Sequence, residues 1–131
     1  MADKILVVED EAQITRTLRL YLEQAGYQVV IISDGAQAMP AFRHDKPDLV
    51  ILDLHLPHVA GWEVGRQIRR ETDTPIIMLT ARREESDKLI GLELGADDDV
   101  TKPFSPRGVT ARVRVVLRRS RGQVQPPPIL R

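Results

Sequence analysis

Five short runs of aliphatic and β-branched residues recur along the 131-residue chain, and patterns typical of amphipathic helices lie between them. All but the last run are nearly continuous in apolar residues, which is typical of strands covered on both faces, as in parallel sheets. Five such β–α units predict an α/β fold with a doubly wound parallel sheet and helices on both faces. The runs are KILVV (4–8), QVVII (28–32), LVILD (49–53), PIIMLT (75–80) and DVTK (99–102).

Helices are predicted in the intervals between these runs. Gly26 follows an apolar stripe and should end the first helix, and Asp34 can cap the second. Pro40 lies inside that second helix, where a missing N–H should kink or shorten it. The expected helical ranges are 11–25, 35–45, 61–71, 85–95 and 105–120.

Length and composition indicate one domain with a largely aliphatic core, since 42% of residues are hydrophobic and only five are aromatic. The absence of cysteine excludes disulfides and thiolate metal sites. No apolar run approaches the roughly 18 residues of a membrane span, and the N-terminus lacks a signal-peptide core. We therefore expect a cytoplasmic domain that does not enter the membrane.

Charge is unevenly distributed although the net charge is zero: residues 1–101 hold 19 acids and 11 bases, and residues 102–131 hold 8 bases and no acid. The basic end lacks the interleaved aromatic residues of a nucleic-acid surface, which favours a solvated last helix. Residues 122–131 are polar and Pro-rich, and are predicted to be a linker.

Charged and hydroxyl side chains follow four of the predicted strands. Because the carboxyl ends of parallel strands meet at one edge of a sheet, where such folds bind ligands, these side chains should lie together. Strand 1 ends at Glu9, Asp10 and Glu11, strand 3 at Asp53, strand 4 at Thr80 and strand 5 at Lys102.

This set suits phosphoryl chemistry around a divalent cation. Asp10 and Asp53 would repel each other, and a Mg²⁺ ion bound by carboxylates, waters and phosphate oxygens would remove the conflict. Asp53 can act as a phosphoryl nucleophile, with Lys102 and Thr80 contacting the transferred group. Taken singly, each residue also has a structural interpretation, such as a buried Asp53–Lys102 ion pair.

The segments ILVVEDE, DLVILDLHLP, PIIMLTA and GADDDVTKPF resemble the receiver domain of bacterial two-component response regulators over residues 3–119. TKPFSPR followed by ARVRVVLRR is most similar to the subfamily that joins a receiver to a winged-helix DNA-binding domain. The resemblance implies a flavodoxin-like fold with strand order 2-1-3-4-5 and a receiver domain over residues 1–121. It also implies a signalling protein rather than an enzyme, phosphorylated by a sensor histidine kinase and acting on DNA through an output domain absent from this chain.

The resemblance also assigns roles residue by residue. Asp53 is the expected phospho-acceptor, Thr80 the switch hydroxyl and Lys102 the phosphoryl-binding lysine, joined by the backbone amide of Ala81. The Lys102–Pro103 peptide bond should be cis. The expected Mg²⁺ ligands are Asp10, Asp53, the backbone carbonyl of His55 and, through water, Glu9.

Two positions depart from the family pattern in ways that bear on output. Asp99 occupies the place of an aromatic residue three positions before the lysine, so an aromatic ring cannot move inward behind Thr80. Gly108 stands where the subfamily usually has Glu, which removes an expected partner of Lys88 across a dimer.

A weak homodimer through helix 4, strand 5 and helix 5 is expected. Acid–arginine bridges would join Asp97 and Asp98 to Arg112, Arg118 and Arg119, and Lys88 would also lie at this interface.

Two rival functions stay open at this point. One is a stand-alone phosphorelay or docking receiver without DNA output. The other is a hydrolase with Asp53 as nucleophile, which is disfavoured because His55 stands where such enzymes commonly have an acid.

Overall fold

The computed structural model describes residues 2–81 and 85–122, without the side chain of residue 85. The described residues form five strands and five α-helices in strict alternation. The strands are β1 (Lys4–Val8), β2 (Gln28–Ile32), β3 (Leu49–Asp53), β4 (Ile76–Thr80) and β5 (Asp98–Thr101). The helices are α1 (Ala12–Gln24), α2 (Ala38–Asp45), α3 (Gly61–Glu71), α4 (Glu85–Leu94) and α5 (Pro106–Ser120).

The five strands form one parallel sheet in the order β2-β1-β3-β4-β5. This confirms the predicted α/β fold and the strand order implied by the resemblance. Outside the second helix, the limits of the strands and helices equal those predicted from the sequence or differ from them by one residue. The predicted linker lies, apart from residue 122, outside the described residues.

The continuous apolar runs are explained by two hydrophobic cores, one on each face of the sheet. On β1, Ile5 and Val7 face a core with α1 and α5, whereas Leu6 and Val8 face a second core with α2, α3 and α4. Alternate side chains of a strand point to opposite faces, so a strand covered on both faces must be apolar at every position.

The second helix begins later than predicted because residues 35–37 form a 3₁₀ turn before α2. Asp34 caps this turn, accepting a hydrogen bond of 2.9 Å from the Ala36 amide. Pro40 is the third residue of α2, in the first turn, where a backbone N–H has no partner within the helix. The proline therefore fits without breaking a helical hydrogen bond, and α2 is short, with eight residues.

Candidate functional site

The register of the sheet brings the ends of β1, β3 and β4 level with one another. Val8 pairs with Leu52, and Asp53 pairs with Leu79. Glu9, which follows β1, therefore stands beside Asp53, and Thr80 ends the next strand. The parallel pairing that the apolar runs predicted is thus what collects these polar side chains at one edge.

Three carboxylates form a cluster at this edge. Each of Glu9, Asp10 and Asp53 offers an oxygen within 4.8 Å of the others. Glu9 is fully buried and Asp53 is 3% exposed, whereas Asp10 is open to solvent. Buried carboxylates in this proximity repel one another unless a cation lies among them, so the cluster could hold a metal ion.

Lys102 places its ammonium group among the acids. Its Nζ lies 2.9 Å from Glu9 Oε1, 3.2 Å from Glu11 Oε1 and 3.3 Å from Asp53 Oδ2. The cis peptide bond between Lys102 and Pro103, expected from the resemblance, is present. Burial opposes the charge on this lysine, but the surrounding carboxylates outweigh it and raise the pKa of Lys102.

Glu9 is the acid most perturbed by its surroundings. Burial raises the pKa of Glu9 from its ordinary value of 4.5 to about 7. The Glu11 amide, which donates to Glu9 Oε2 at 2.9 Å, and the Lys102 ammonium oppose this shift, while the Asp53 charge adds to it. Glu9 Oε1 is within ion-pair distance of Lys102 but has no aligned donor, the one such buried side-chain oxygen in the described ranges. A buried carboxylate oxygen without an aligned donor fits a cation or a cation-bound water.

Asp53 is held from two sides. The amide of His55 donates to its Oδ1 at 3.0 Å, and Lys102 contacts its Oδ2. The sequence-derived ion pair between Asp53 and Lys102 is therefore present, but it is one contact of a larger arrangement rather than an isolated buried pair.

Thr80 and Ala81 complete the site on the β4 side. The Thr80 hydroxyl is buried, and its contacts with the described residues are long, at 3.4 Å to the Val100 carbonyl oxygen and 3.5 Å to Thr101 Oγ1. The hydroxyl is thus weakly held and can turn to a new acceptor. The Ala81 amide donates to Asp87 Oδ2 at 3.1 Å.

Asp87 is the residue near the site that sequence reasoning missed. It lies on α4, its side chain is 2% exposed, and the same Oδ2 is 3.1 Å from His55 Nε2. A signal was present in the sequence, because Asp87 precedes Ile90 by three positions and Leu94 by seven. It thus takes an inward position on a helix whose other inward residues are apolar.

Three of the charged residues expected at a dimer interface already make contacts within the chain. Asp98 pairs with Arg112 at 2.8 Å within the same chain. Asp97 contacts Arg69 at 3.3 Å and accepts from the Ile76 amide at 2.8 Å. Lys88, Arg118 and Arg119 are exposed. Bridges from Asp97, Asp98 or Arg112 to a second chain would therefore compete with contacts already made.

The fold is a flavodoxin-like α/β domain, and the carboxyl ends of its strands meet at an acidic pocket that contains a lysine. Together, this fold and this pocket define the class of protein to which the chain belongs. A family model described as "Response regulator receiver domain" matches residues 5–114, and the chain belongs to that family. No helix in residues 2–81 or 85–122 has the length and apolar character needed to cross a membrane.

Curated relatives are transcriptional regulators. The chain is 54% identical over 121 residues to the alkaline phosphatase synthesis transcriptional regulatory protein PhoP of Bacillus subtilis, covering 92% of this chain and 50% of the relative. It is 50% identical over 120 residues to the transcriptional regulatory protein BaeR of Escherichia coli, with 92% and 50% covered. The chain thus spans about half the length of these relatives. The inferred likeness to the transcription-factor subfamily of receivers is confirmed.

Solved structures agree. The BeF3-activated N-terminal receiver domain of Klebsiella pneumoniae RstA superimposes with a TM-score of 0.83 at 34% identity, covering 88% of this chain and 99% of that one. A CheY-like receiver domain protein of Methanospirillum hungatei superimposes with a TM-score of 0.87 at 23% identity, covering 95% and 100%, and shows the common fold alone.

Proposed function

We propose that this domain accepts a phosphoryl group on Asp53 from a histidine kinase and thereby controls a DNA-binding output domain. The observation that carries the proposal is the position of Asp53. It ends a buried strand, it is almost inaccessible except at this edge, and its Oδ2 lies 3.3 Å from Lys102 Nζ. Such a carboxylate is rigidly placed against a cation that can stabilise added negative charge.

The transfer follows from these groups. An Asp53 oxygen attacks the phosphorus of a phosphohistidine, a P–O bond forms, and the P–N bond breaks with its electron pair staying on the imidazole nitrogen. Lys102 compensates the negative charge of the phosphoryl oxygens. The Thr80 hydroxyl and the Ala81 amide turn to donate hydrogen bonds to those oxygens. Asp53 is then an acyl phosphate, which hydrolysis returns to the carboxylate.

The acidic cluster fits Mg²⁺ by its all-oxygen donor set and by the buried Oε1 of Glu9, which has no aligned donor. Asp10, Asp53 and the His55 carbonyl would hold the ion directly and Glu9 through water. Bound there, Mg²⁺ would neutralise charge on the carboxylates and on the incoming phosphoryl group. Asp10→Asn should therefore weaken Mg²⁺ binding and phosphorylation together, and unchanged metal affinity in that variant would contradict this ligand set.

The output is inferred from the relatives, which are named as transcriptional regulators and extend to about twice the matched length. We propose that the remaining half of such a protein binds DNA and that this receiver controls it. The sensor kinase follows from the same family relationship, because a response regulator takes its signal from one.

The test is phosphorylation by a small acyl phosphate with Mg²⁺, followed by intact-mass measurement and peptide mapping. We expect one phosphoryl group on Asp53, no labelling of Asp53→Asn, and little labelling after chelation of the metal. Asp73→Asn is the matched control, because Asp73 is an exposed acid before β4, at the opposite edge of the sheet. Undiminished labelling of Asp53→Asn would refute the assignment.

A further inference from the structure

Asp87 is a buried carboxylate that the phosphoryl transfer described above does not use. A carboxylate is costly to bury unless donors surround it. Here a single oxygen, Oδ2, receives two of them, the Ala81 amide at 3.1 Å and His55 Nε2 at 3.1 Å. An ionised carboxylate only accepts, so His55 donates to Oδ2 in the tautomer that carries its proton on Nε2. Asp87 therefore links α4 to the ends of both β3 and β4.

The Ala81 amide has a single N–H to donate, and two acceptors compete for it. In this structure the acceptor is Asp87; after phosphoryl transfer it is an oxygen on Asp53. We propose that Asp87 is an internal competitor for the Ala81 N–H, that phosphorylation displaces it, and that this exchange of acceptors carries the signal into α4. The inference rests on the proposed function, because it requires a phosphoryl group on Asp53.

Electrostatics drives the exchange in the same direction. A phosphoryl group adds about −1.5 to −2 charge at neutral pH, close to a carboxylate that has just lost a donor. His55 couples the two acids further, since its amide holds Asp53 Oδ1 at 3.0 Å while its ring holds Asp87. A change at Asp53 thus reaches Asp87 through the Ala81 amide and through His55.

The position of Asp87 on α4 gives the exchange an output. Lys88 and Leu89 follow it directly, and Leu92 lies further along the helix; Leu89 is 60% and Leu92 79% exposed. A displaced Asp87 moves the turn that carries Lys88 and Leu89. This route does not pass through position 99 on β5, where this chain has Asp99 in place of an aromatic residue. The route can therefore operate in a receiver that lacks an aromatic ring at position 99.

The experiment combines binding of beryllofluoride, a phosphoryl mimic, with amide NMR of the whole chain in Mg²⁺. Asp87→Ala frees the Ala81 amide before the mimic arrives. We therefore expect this variant to bind the mimic about three- to tenfold more tightly, on the scale of one hydrogen bond. Its α4 amides should respond less than those of the unmodified chain, because the coupling group is gone. Tighter binding with a smaller α4 response is a combination that a merely structural role of Asp87 would not produce.

Glu93→Ala is the matched control, since Glu93 is an exposed acid on the same helix. It should leave both the affinity and the α4 response unchanged. Asp87→Asn keeps an acceptor oxygen without the charge and should fall between the unmodified chain and Asp87→Ala. Because a buried substitution can impair folding, the unmodified chain supplies an independent readout: its Ala81 and α4 amide signals should both shift when the mimic binds.

The outcomes separate this inference from the proposed function. Mimic binding that is lost in Asp53→Asn supports the proposed function, whatever Asp87 does. If that holds and Asp87→Ala binds the mimic equally or more weakly, or the α4 amides of the unmodified chain do not shift, the role of Asp87 is overturned. If the unmodified chain does not bind the mimic at all, both proposals fall.

Discussion

The ionisation of Glu9 depends on the groups that are packed around its side chain. Glu9 follows an apolar strand, is completely buried, and has one carboxylate oxygen without an aligned donor. Desolvation makes its charged form costly, and the nearby Asp53 charge adds to the cost; Lys102 and the Glu11 amide offset only part of it. The ionised form of Glu9 is thus disfavoured by its surroundings, and a cation bound beside it would stabilise that form.

The raised pKa of Glu9 predicts a stability that falls with pH. Unfolded, this carboxyl loses its proton near 4.5, whereas folded it keeps the proton to about 7. In that window the folded state binds more protons than the unfolded state, so the free energy of unfolding of the metal-free protein decreases as pH rises. Urea unfolding in a chelator should show this decrease for the unmodified chain and a flatter profile for Glu9→Gln.

Glu93→Gln, at an exposed position, should keep the slope of the unmodified chain. Added Mg²⁺ should restore stability above about pH 7 for the unmodified chain, since a bound cation favours the ionised carboxylate and the folded state. Parallel pH profiles for Glu9→Gln and the unmodified chain would contradict the assigned cause.

At the scale of elements, the start of α3 determines where Asp53 stands. Gly61 is the first residue of that helix, and its amide donates to the Leu54 carbonyl at 3.0 Å. A Cβ at this position would overlap the carbonyl oxygen of Asp53 and lie 2.8 Å from Leu54 Cα. The helix can approach the end of β3 this closely only because the side chain is absent. The β3–α3 connection and Asp53, the proposed phospho-acceptor, are therefore positioned together.

Gly61→Ala and Gly108→Ala should have opposite effects. The first forces backbone apart, and we expect it to cost about 1–3 kcal/mol or more and to slow phosphorylation of Asp53. The second lies in α5 with its nearest neighbour, Ser105 Cβ, at 3.6 Å, which is ordinary contact. It should gain about 0.5–1 kcal/mol, because alanine favours the helix. Urea unfolding of both variants measures whether each substitution raises or lowers the free energy of unfolding. A stabilised Gly61→Ala would show that the close approach does not constrain the site.

At the scale of the whole molecule, the surface around α4, β5 and α5 combines exposed Leu89 and Leu92 with acids and arginines. The acids are partly engaged within the chain, Asp98 by Arg112 and Asp97 by Arg69. Exposed ion pairs contribute only about 0–1 kcal/mol each, so exchanging an internal pair for a cross-chain one changes little. Charges on this surface would therefore set the register of a dimer more than its affinity.

We predict a weak dimer that responds to beryllofluoride less than is usual in the subfamily, because Asp99 supplies no ring and Gly108 supplies no acid for Lys88. The double variant Asp99→Tyr, Gly108→Glu should strengthen the response, and sedimentation with and without the mimic measures it. Gly108→Ala is the control that separates helix stability from the added charge. A tight, strongly mimic-dependent dimer of the unmodified chain would contradict the roles given to Asp99 and Gly108.

The sequence by itself determined the sheet and most of the site. Apolar runs at every position of a strand require cover on both faces, so the parallel sheet followed from local composition, with β1, β2 and β3 at their predicted limits. Glu9, Asp53, Thr80 and Lys102 were predicted to meet because each follows or ends a strand, and the ends of parallel strands share an edge.

Contacts between elements were decided only by the tertiary structure. Three contacts depend on how helices and loops lie across the sheet. They are the hydrogen bond from the Ala81 amide to Asp87, the ion pair of Asp98 with Arg112, and the position of Lys102 among three acids. A periodic pattern reports which face of an element is buried, but not which side chain of a distant element meets it. The 3₁₀ turn before α2 was missed for a related reason, since Asp34 capped a tighter turn than the helical pattern implied. Burial, charge and donor geometry at Glu9 and Asp87 therefore arise only when the chain is folded.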